Sequence, residues 1–267
     1  MKFSIIIPTY NRAYCILTSI NSVLKQNHKD FEIIIIDDCS TDNSVLIISK
    51  FIESYTFIKL IRLEKNYGTN IAKNIGSINA KGNYLVFLDS DDQLIKEDSL
   101  NRIEEVIIKN CFPKLLMFTC INIEGHIKSK NTITNQMISF KTYFQGKASG
   151  EYLPVVEKSM FDAVKFHTDI HGGEGLTWLS IARLTNGIFI SSEIIRLYDD
   201  KGTDRLSHID FKQFNRLFKI FVKDLKLNFI YYLRYNPIGM LMVILRITYY
   251  KYRDLVHLLK ITLNYKK

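Results

Sequence analysis

With 267 residues, 47% of them hydrophobic, the chain is long enough to bury a substantial core, and intrinsic disorder is excluded as its default state. Four prolines, twelve glycines and no visible repeat or low-complexity tract exclude a solenoid and leave no place for a long linker between independent domains. The net charge of +9 is confined to the last quarter, where residues 201–267 carry +10 while residues 1–200 carry −1.

The opening, MKFSIIIPTYNR, has too short an apolar run for an export signal and reads as a first strand, FSIIIP. A helix follows around Ile16 to Lys25, then a strand FEIIIID, a helix around Ser44 to Ser54, a strand IKLIRL, a helix around Asn70 to Ala80 and a strand YLVFLD. Continuous β-branched runs suit strands buried on both faces of a parallel sheet, with the intervening helices as crossovers. The fold class is therefore α/β. In such sheets ligands sit beyond the carboxyl ends of the strands, and here those ends carry Thr9 and Asn11, Asp37 and Asp38, Glu64 and Asn66, and Asp89 to Asp92.

The middle, Phe112 to Ile190, is less periodic. It holds a loop from His167 to Glu174, a helical LTWLSIARL and a strand-like GIFISSEIIRLY. From Asp210 the chain turns amphipathic and helical, with Phe214, Leu217, Phe218, Phe221 and Leu225 on one face, and a second helix is expected from Gly239 onward. No run reaches the ~20 apolar residues of a membrane-spanning helix. The best run, Pro237 to Leu245, ends at Arg246, and no crossing of a bilayer is expected. Cys15, Cys39, Cys111 and Cys120 show neither zinc-type pairing nor the density of a disulfide scaffold, so a reducing compartment and ordinary buried thiols are expected.

The stretch LDSDD, Leu88 to Asp92, places three carboxylates within four residues, and like charges so close call for a cation. Asp89 and Asp91 are candidate ligands for Mg2+ or Mn2+, which favour few carboxylates plus phosphate and water. An acidic helix N-terminus is the plain alternative. His167, His171 and Glu174 match no strong zinc pattern. Trp178 could stack on a sugar, although a lone tryptophan on a helix more often packs in a core.

The ordered motifs IIIPTYNR, IIIIDDCSTDNS, NYGTNIAKNIG and YLVFLDSDD closely resemble the nucleotide-binding half of family 2 glycosyltransferases, firmly from Phe3 to Asn101 and more loosely from Glu151 to Ser207. That resemblance implies the GT-A fold and inversion at the anomeric centre. It implies that Pro8, Thr9 and Tyr10 line the base and ribose pocket, that Asp38 faces a uracil ring, and that Lys73, where the family more often has arginine, contacts the nucleotide. Asp89 would touch the ribose, Asp91 the metal, and Asp92 would lie nearer the sugar. The segment HGGEGLTWLSIAR matches the place where the family carries a glutamate–aspartate pair whose aspartate is the usual general base. Here Glu174 is followed by Gly175, so Glu174 is the expected base, with Asp169 or Asp162 as alternatives. Asp204 to Ser207 resembles a segment that closes over the diphosphate, which makes Arg205 a phosphate ligand and His208 a possible further metal contact.

The expected layout is a nucleotide-sugar half, 1–110, an acceptor half of the same domain, 111–208, and a basic helical tail, 209–267. Seven of the fifteen tyrosines and the fourteen basic residues from Lys201 onward suit the surface of an anionic membrane, against the alternative of helices packed on the domain. No nucleic-acid-binding module is recognised. The expected function is transfer of a hexose from a UDP-sugar to a lipid-diphosphate-linked saccharide at the inner face of the cytoplasmic membrane, in surface polysaccharide or lipopolysaccharide synthesis. The alternatives are transfer to a free or protein-linked glycan, and a non-catalytic nucleotide-sugar-binding protein.

Overall fold

The computed structural model describes the backbone of residues 1–131, 134–200 and 213–264, which fall into two units: residues 1–168 with 177–200, and residues 169–176 with the described part of 201–267. In the first unit, strands β1 (Phe3–Thr9), β2 (Phe31–Asp37), β3 (Ile58–Arg62) and β4 (Tyr84–Phe87) run parallel in the order β3-β2-β1-β4. Every side chain of β1 and of β4 is buried, as their unbroken apolar runs require of strands covered on both faces. The crossovers are α1 (Ile16–Leu24), α2 (Ser44–Ile52) and α3 (Thr69–Asn79). In α1 the buried Ile16, Ser19, Ile20 and Val23 recur at helical spacing, so one face meets the sheet and the other meets water.

Gly76 sets how closely α3 lies on the sheet. A β-carbon there would stand 2.5 Å from Ile6 Cγ2, so only glycine allows the contact. That approach brings Asn70, Lys73 and Asn74, within two turns upstream, over the strand ends.

Beyond β4 the sheet changes direction. Strand β10 (Tyr152–Glu157) pairs antiparallel with β4 and with β6 (Leu115–Asn122), and β11 (Gly187–Tyr198) runs parallel to β6. The two-residue β5 (Gln93–Leu94) and β8 (Gln136–Ser139) both pair with β11, completing a nine-stranded sheet among the described residues. The segments before and after residue 110 thus share one sheet and one core. Trp178 of α7 (Glu174–Leu184) is buried in an aromatic cluster with Phe87, Phe161 and Phe166. The expectation of four buried thiols is corrected: only Cys120 is buried, Cys15 and Cys39 are half-buried and Cys111 is exposed. Cys111 sits where α4 (Ser99–Lys109) ends in a left-handed turn, which turns its side chain outward.

In the second unit, α8 (Phe214–Tyr235) and α9 (Pro237–Asn264) form a hairpin with Asn236 between them. Phe221 stacks on Tyr250 at 5.8 Å, and Arg246, Lys251 and Arg253 lie over the rings of Phe221, Phe218 and Phe214. The apolar stripe expected on α8 is therefore the ridge on which α9 rests. Asp224, Asn228 and Tyr232 share one face of α8, and both Asp224 oxygens accept hydrogen bonds, from Asn228 Nδ2 and Tyr232 OH, at 2.8 and 2.7 Å.

Candidate active site

The carboxyl ends of β1, β2 and β4 open side by side where the sheet's neighbours diverge, the position at which α/β sheets bind ligands. Two non-glycine residues in the left-handed region mark the rim, Asn11 (φ 52°) after β1 and Cys39 (φ 65°) after β2. Such conformations persist only where the surroundings hold them. Asn11 is held: its Oδ1 accepts the N–H groups of Thr41 and Asp42, and its own N–H donates to Ser40 Oγ.

Thr9, the last residue of β1, is buried, and its Oγ1 has no hydrogen-bond partner among the described residues. Pro8 is buried beside it, whereas Tyr10 is exposed. Asp38 is buried as well. One of its oxygens accepts the N–H of Tyr67 and the other that of Gly68, each at 2.7 Å, so this carboxylate fixes the turn that starts α3. Gly68 has φ +90°, which permits that tight entry.

The acidic turn after β4 is built from three carboxylates in three different settings. Asp89 is partly exposed and meets the buried Lys73, whose Nζ stands 2.8 Å from Asp89 Oδ1. Asp91 is partly exposed, and its charge, after burial, helps push the Cys15 thiol up to about 11, keeping the sulfur protonated at neutral pH. Asp92 is turned inward, with 1% of its side chain exposed, where the sequence placed it nearer the sugar. Its Oδ2 lies 3.1 Å from Arg196 Nη1, and its Oδ1 accepts the N–H of Asp199 at 3.0 Å. Burial pushes this carboxyl above the ordinary aspartate range, against the pull of Arg196 and with the repulsion of Asp89 and Asp91 added.

Arg196 was not visible as a site residue in the sequence. It follows two register irregularities in β11, which bend a strand and re-aim its side chains, and its Nε donates to Cys120 Sγ at 3.1 Å. Asn70 and Asn74 have tasks that the motif alone did not suggest. Asn74 both donates to and accepts from the Phe166 backbone at 2.9 Å, and Asn70 donates to the His167 carbonyl. They tie the 166–167 segment to α3.

Glu174 is the first residue of α7 and belongs to the second unit. Gly172 and Gly173 before it both have φ +73°, a conformation that favours glycine, and a β-carbon on Gly175 would meet open space. Of the alternative bases, Asp169 is paired with Lys223. Asp162 is paired with Lys158 and lines a cavity with Gly82 and Tyr84, at the amino end of β4, away from the strand ends just described. Arg205 and His208 lie outside the described residues.

Residues 4–150 match the family described as Glycosyl transferase family 2, more than half of the chain. The chain belongs to that family. Over 184 residues, 67% of the chain and 59% of the relative, it is 30% identical to the GalNAc(5)-diNAcBac-PP-undecaprenol beta-1,3-glucosyltransferase of Campylobacter jejuni. Over 244 residues, 88% of the chain and 92% of the relative, it is 29% identical to the UDP-Glc:alpha-D-GlcNAc-diphosphoundecaprenol beta-1,3-glucosyltransferase WfgD of Escherichia coli. The match thus spans less than two thirds of the Campylobacter protein and most of the E. coli one. Among solved structures, S. aureus TarS 1-349 in complex with UDP-GlcNAc superimposes with a TM-score of 0.68 at 22% identity, covering 84% of this chain and 67% of that one. A mannosyltransferase from Pyrobaculum calidifontis in complex with GDP-Man and Mn2+ gives 0.61 at 17% identity, covering 84% and 64%. The mostly parallel sheet flanked by helices is the GT-A fold.

Proposed function

We propose that this chain is an inverting glycosyltransferase that moves a hexose from a UDP-sugar to a saccharide carried on a polyprenyl diphosphate. The observation that carries the reading is the acidic turn, where Asp89, paired with Lys73, and Asp91 stay partly exposed while Asp92 is drawn inside. Three carboxylates of one turn, all at the surface, would repel one another. Two at the surface beside a lysine suit a divalent cation that arrives with a diphosphate and completes its shell from phosphate and water. The residues therefore fit Mg2+ or Mn2+, with Asp91 and Asp89 as the groups that would hold it. When bound, the ion supplies positive charge to the leaving diphosphate.

The remaining steps belong to side chains. Thr9 and Tyr10 border the nucleoside pocket beyond β1, Pro8 shapes its floor, and Asp38 presents its outer lone pairs to the base. Lys73 holds Asp89 and adds a point charge near the phosphates. Arg205 is the expected further phosphate ligand. Glu174 takes the proton of the acceptor hydroxyl as that oxygen attacks the anomeric carbon from the face opposite the nucleotide. The bond from that carbon to the diphosphate breaks, and UDP leaves. Attack from the opposite face turns an α-linked donor into a β product, the linkage in the names of the two undecaprenol-linked relatives. The same names motivate the lipid-diphosphate acceptor, and with it a role on surface polysaccharide precursors at the inner face of the cytoplasmic membrane.

Glu174→Gln is the direct test. With UDP-glucose or UDP-GlcNAc and a synthetic lipid-diphosphate saccharide, turnover should fall by on the order of a hundredfold while donor affinity stays unchanged. A fully active variant would remove Glu174 from the mechanism. A wild-type protein that binds UDP-sugars yet transfers to no acceptor, lipid-linked or free, would favour a non-catalytic binding protein.

A further inference from the structure

The helical hairpin ends in a tip whose character differs from the rest of the tail. From Leu227 to Leu245 the only charged residue among nineteen is Arg234. Over this stretch large apolar side chains face solvent on both arms, led by Ile230 at 71% exposure and Ile238 at 77%, with Phe229, Leu233, Leu241 and Leu245 beside them. A contiguous apolar surface of this kind marks an interaction site.

Its dimensions and backbone narrow the partner. Nine residues of α8, 227–235, and nine of α9, 237–245, each rise about 13 Å, close to the depth of one hydrocarbon leaflet and well short of the ~30 Å of both. None of the described helices is long and apolar enough to cross a membrane. Lipid also demands that backbone polar groups be satisfied internally, which normally bars a turn from entering it. Here Asn236 N–H donates to the Tyr232 carbonyl, Pro237 has no N–H, Gly239 N–H donates to Asn236 Oδ1, and Met240 N–H donates to the Asn236 carbonyl. A β-carbon on Gly239 would come within 2.4 Å of that Asn236 side chain, so glycine is needed for the closure. The N–H groups of Asn236, Gly239 and Met240 are thus satisfied within the turn.

Behind the tip, Lys219 and Lys226 on α8 and Arg246 and Lys251 on α9 are exposed, with Tyr249 between the latter two, while Tyr231 and Tyr235 lie within the apolar arm itself. An apolar end backed by a basic collar is the order met on entering an anionic leaflet. A second copy of the chain would bring two such collars of the same sign together, which disfavours self-association through the tip.

We infer that the hairpin tip, centred on Asn236, enters one leaflet of an anionic bilayer as a wedge, with the basic collar at the headgroups. This differs from the surface adsorption expected of a basic amphipathic tail, because apolar burial carries the contact and charge supplements it. The inference draws its purpose from the lipid-linked acceptor proposed above, while its test uses no substrate, so either can fail alone.

The test uses the full-length protein, whose single tryptophan, Trp178, is buried and serves as an internal blank. Leu241→Trp adds a reporter at the tip. On vesicles of phosphatidylglycerol and phosphatidylcholine its emission should shift to the blue and be quenched by lipids brominated on the acyl chain, with part of the binding surviving high salt. Ile230→Asp combined with Leu241→Asp, both at exposed positions, should weaken vesicle flotation by at least about tenfold without lowering the melting temperature. Binding that salt abolishes and acyl-chain bromine does not quench would reduce the tip to surface adsorption and overturn insertion. Absence of flotation overturns it too, and a concentration-dependent dimer broken by the double aspartate variant would assign the tip to a second copy.

Discussion

Asp92 and Arg196 are the residues whose role changes most between sequence and structure. A carboxylate in a row of three reads as one more ligand, yet this one is buried against a guanidinium that is itself only 4% exposed. Both charges have left water, which is costly unless each answers the other. Arg196→Met should therefore destabilise the fold by about 3–5 kcal/mol, because it leaves Asp92 with little but the Asp199 N–H to offset its charge. Adding Asp92→Asn should recover a large part of that loss, since a neutral amide keeps the Oδ1 acceptor without the stranded charge. Urea unfolding followed by Trp178 fluorescence measures both. Equal stability of Arg196→Met and wild type would mean that the pair does not anchor the acidic turn. The sequence could not reveal this pairing. Arg196 is a lone basic residue in the strand GIFISSEIIRLY, 104 positions away from Asp92, and nothing local to either shows that a sheet will join them.

At the scale of elements, what was legible follows from what each element needs of its own residues. β1, β2 and β4 are covered on both faces and must be apolar throughout, so their runs and polar ends stood out; α1, α2 and α3 appear within two residues of their expected ends. The antiparallel β10, the short β5 and the edge β8 owe their pairing to distant partners and left no periodic mark. The tail was legible as two helices, but their packing was not, because basic residues resting on aromatic rings read in sequence as a solvated face. α7 offers an element-scale test. Its second residue, Gly175, stands where the resemblance puts the family's usual carboxylate, and a β-carbon there meets open space. Gly175→Asp should thus fold normally and gain roughly 0.5–1 kcal/mol, from a better helix former and a negative charge at the helix N-terminus. Introduced into Glu174→Gln, it should restore part of the lost turnover, read as kcat at saturating donor. No restoration, with donor binding intact, would mean that the two positions do not aim at the same hydroxyl.

At the scale of the molecule, the groups around β1, β2 and β4 proposed to bind the donor all belong to the first unit, while Glu174 and the hairpin belong to the second. Donor binding and chemistry are therefore separable by thermodynamics. A ligand stabilises what holds it by mass action, about 2.7 kcal/mol at a hundred times its Kd. For a unit of this size each kcal/mol moves the melting temperature by roughly 2–4 °C. UDP with Mn2+ at that concentration should accordingly raise the Tm of the wild-type protein by about 5–10 °C. The rise depends on Asp91, because one surface carboxylate fewer leaves the cation and diphosphate poorly held. Asp91→Asn should keep only a small part of the shift, and chelation of the metal should abolish it in the wild type, whereas Glu174→Gln should show the full shift despite its lost turnover. Differential scanning calorimetry of the three proteins, with UDP in the presence of Mn2+ and of EDTA, decides the matter. A shift of the same size in EDTA, or in Asp91→Asn, would take the cation out of donor binding and leave Lys73 and the backbone to carry the diphosphate alone.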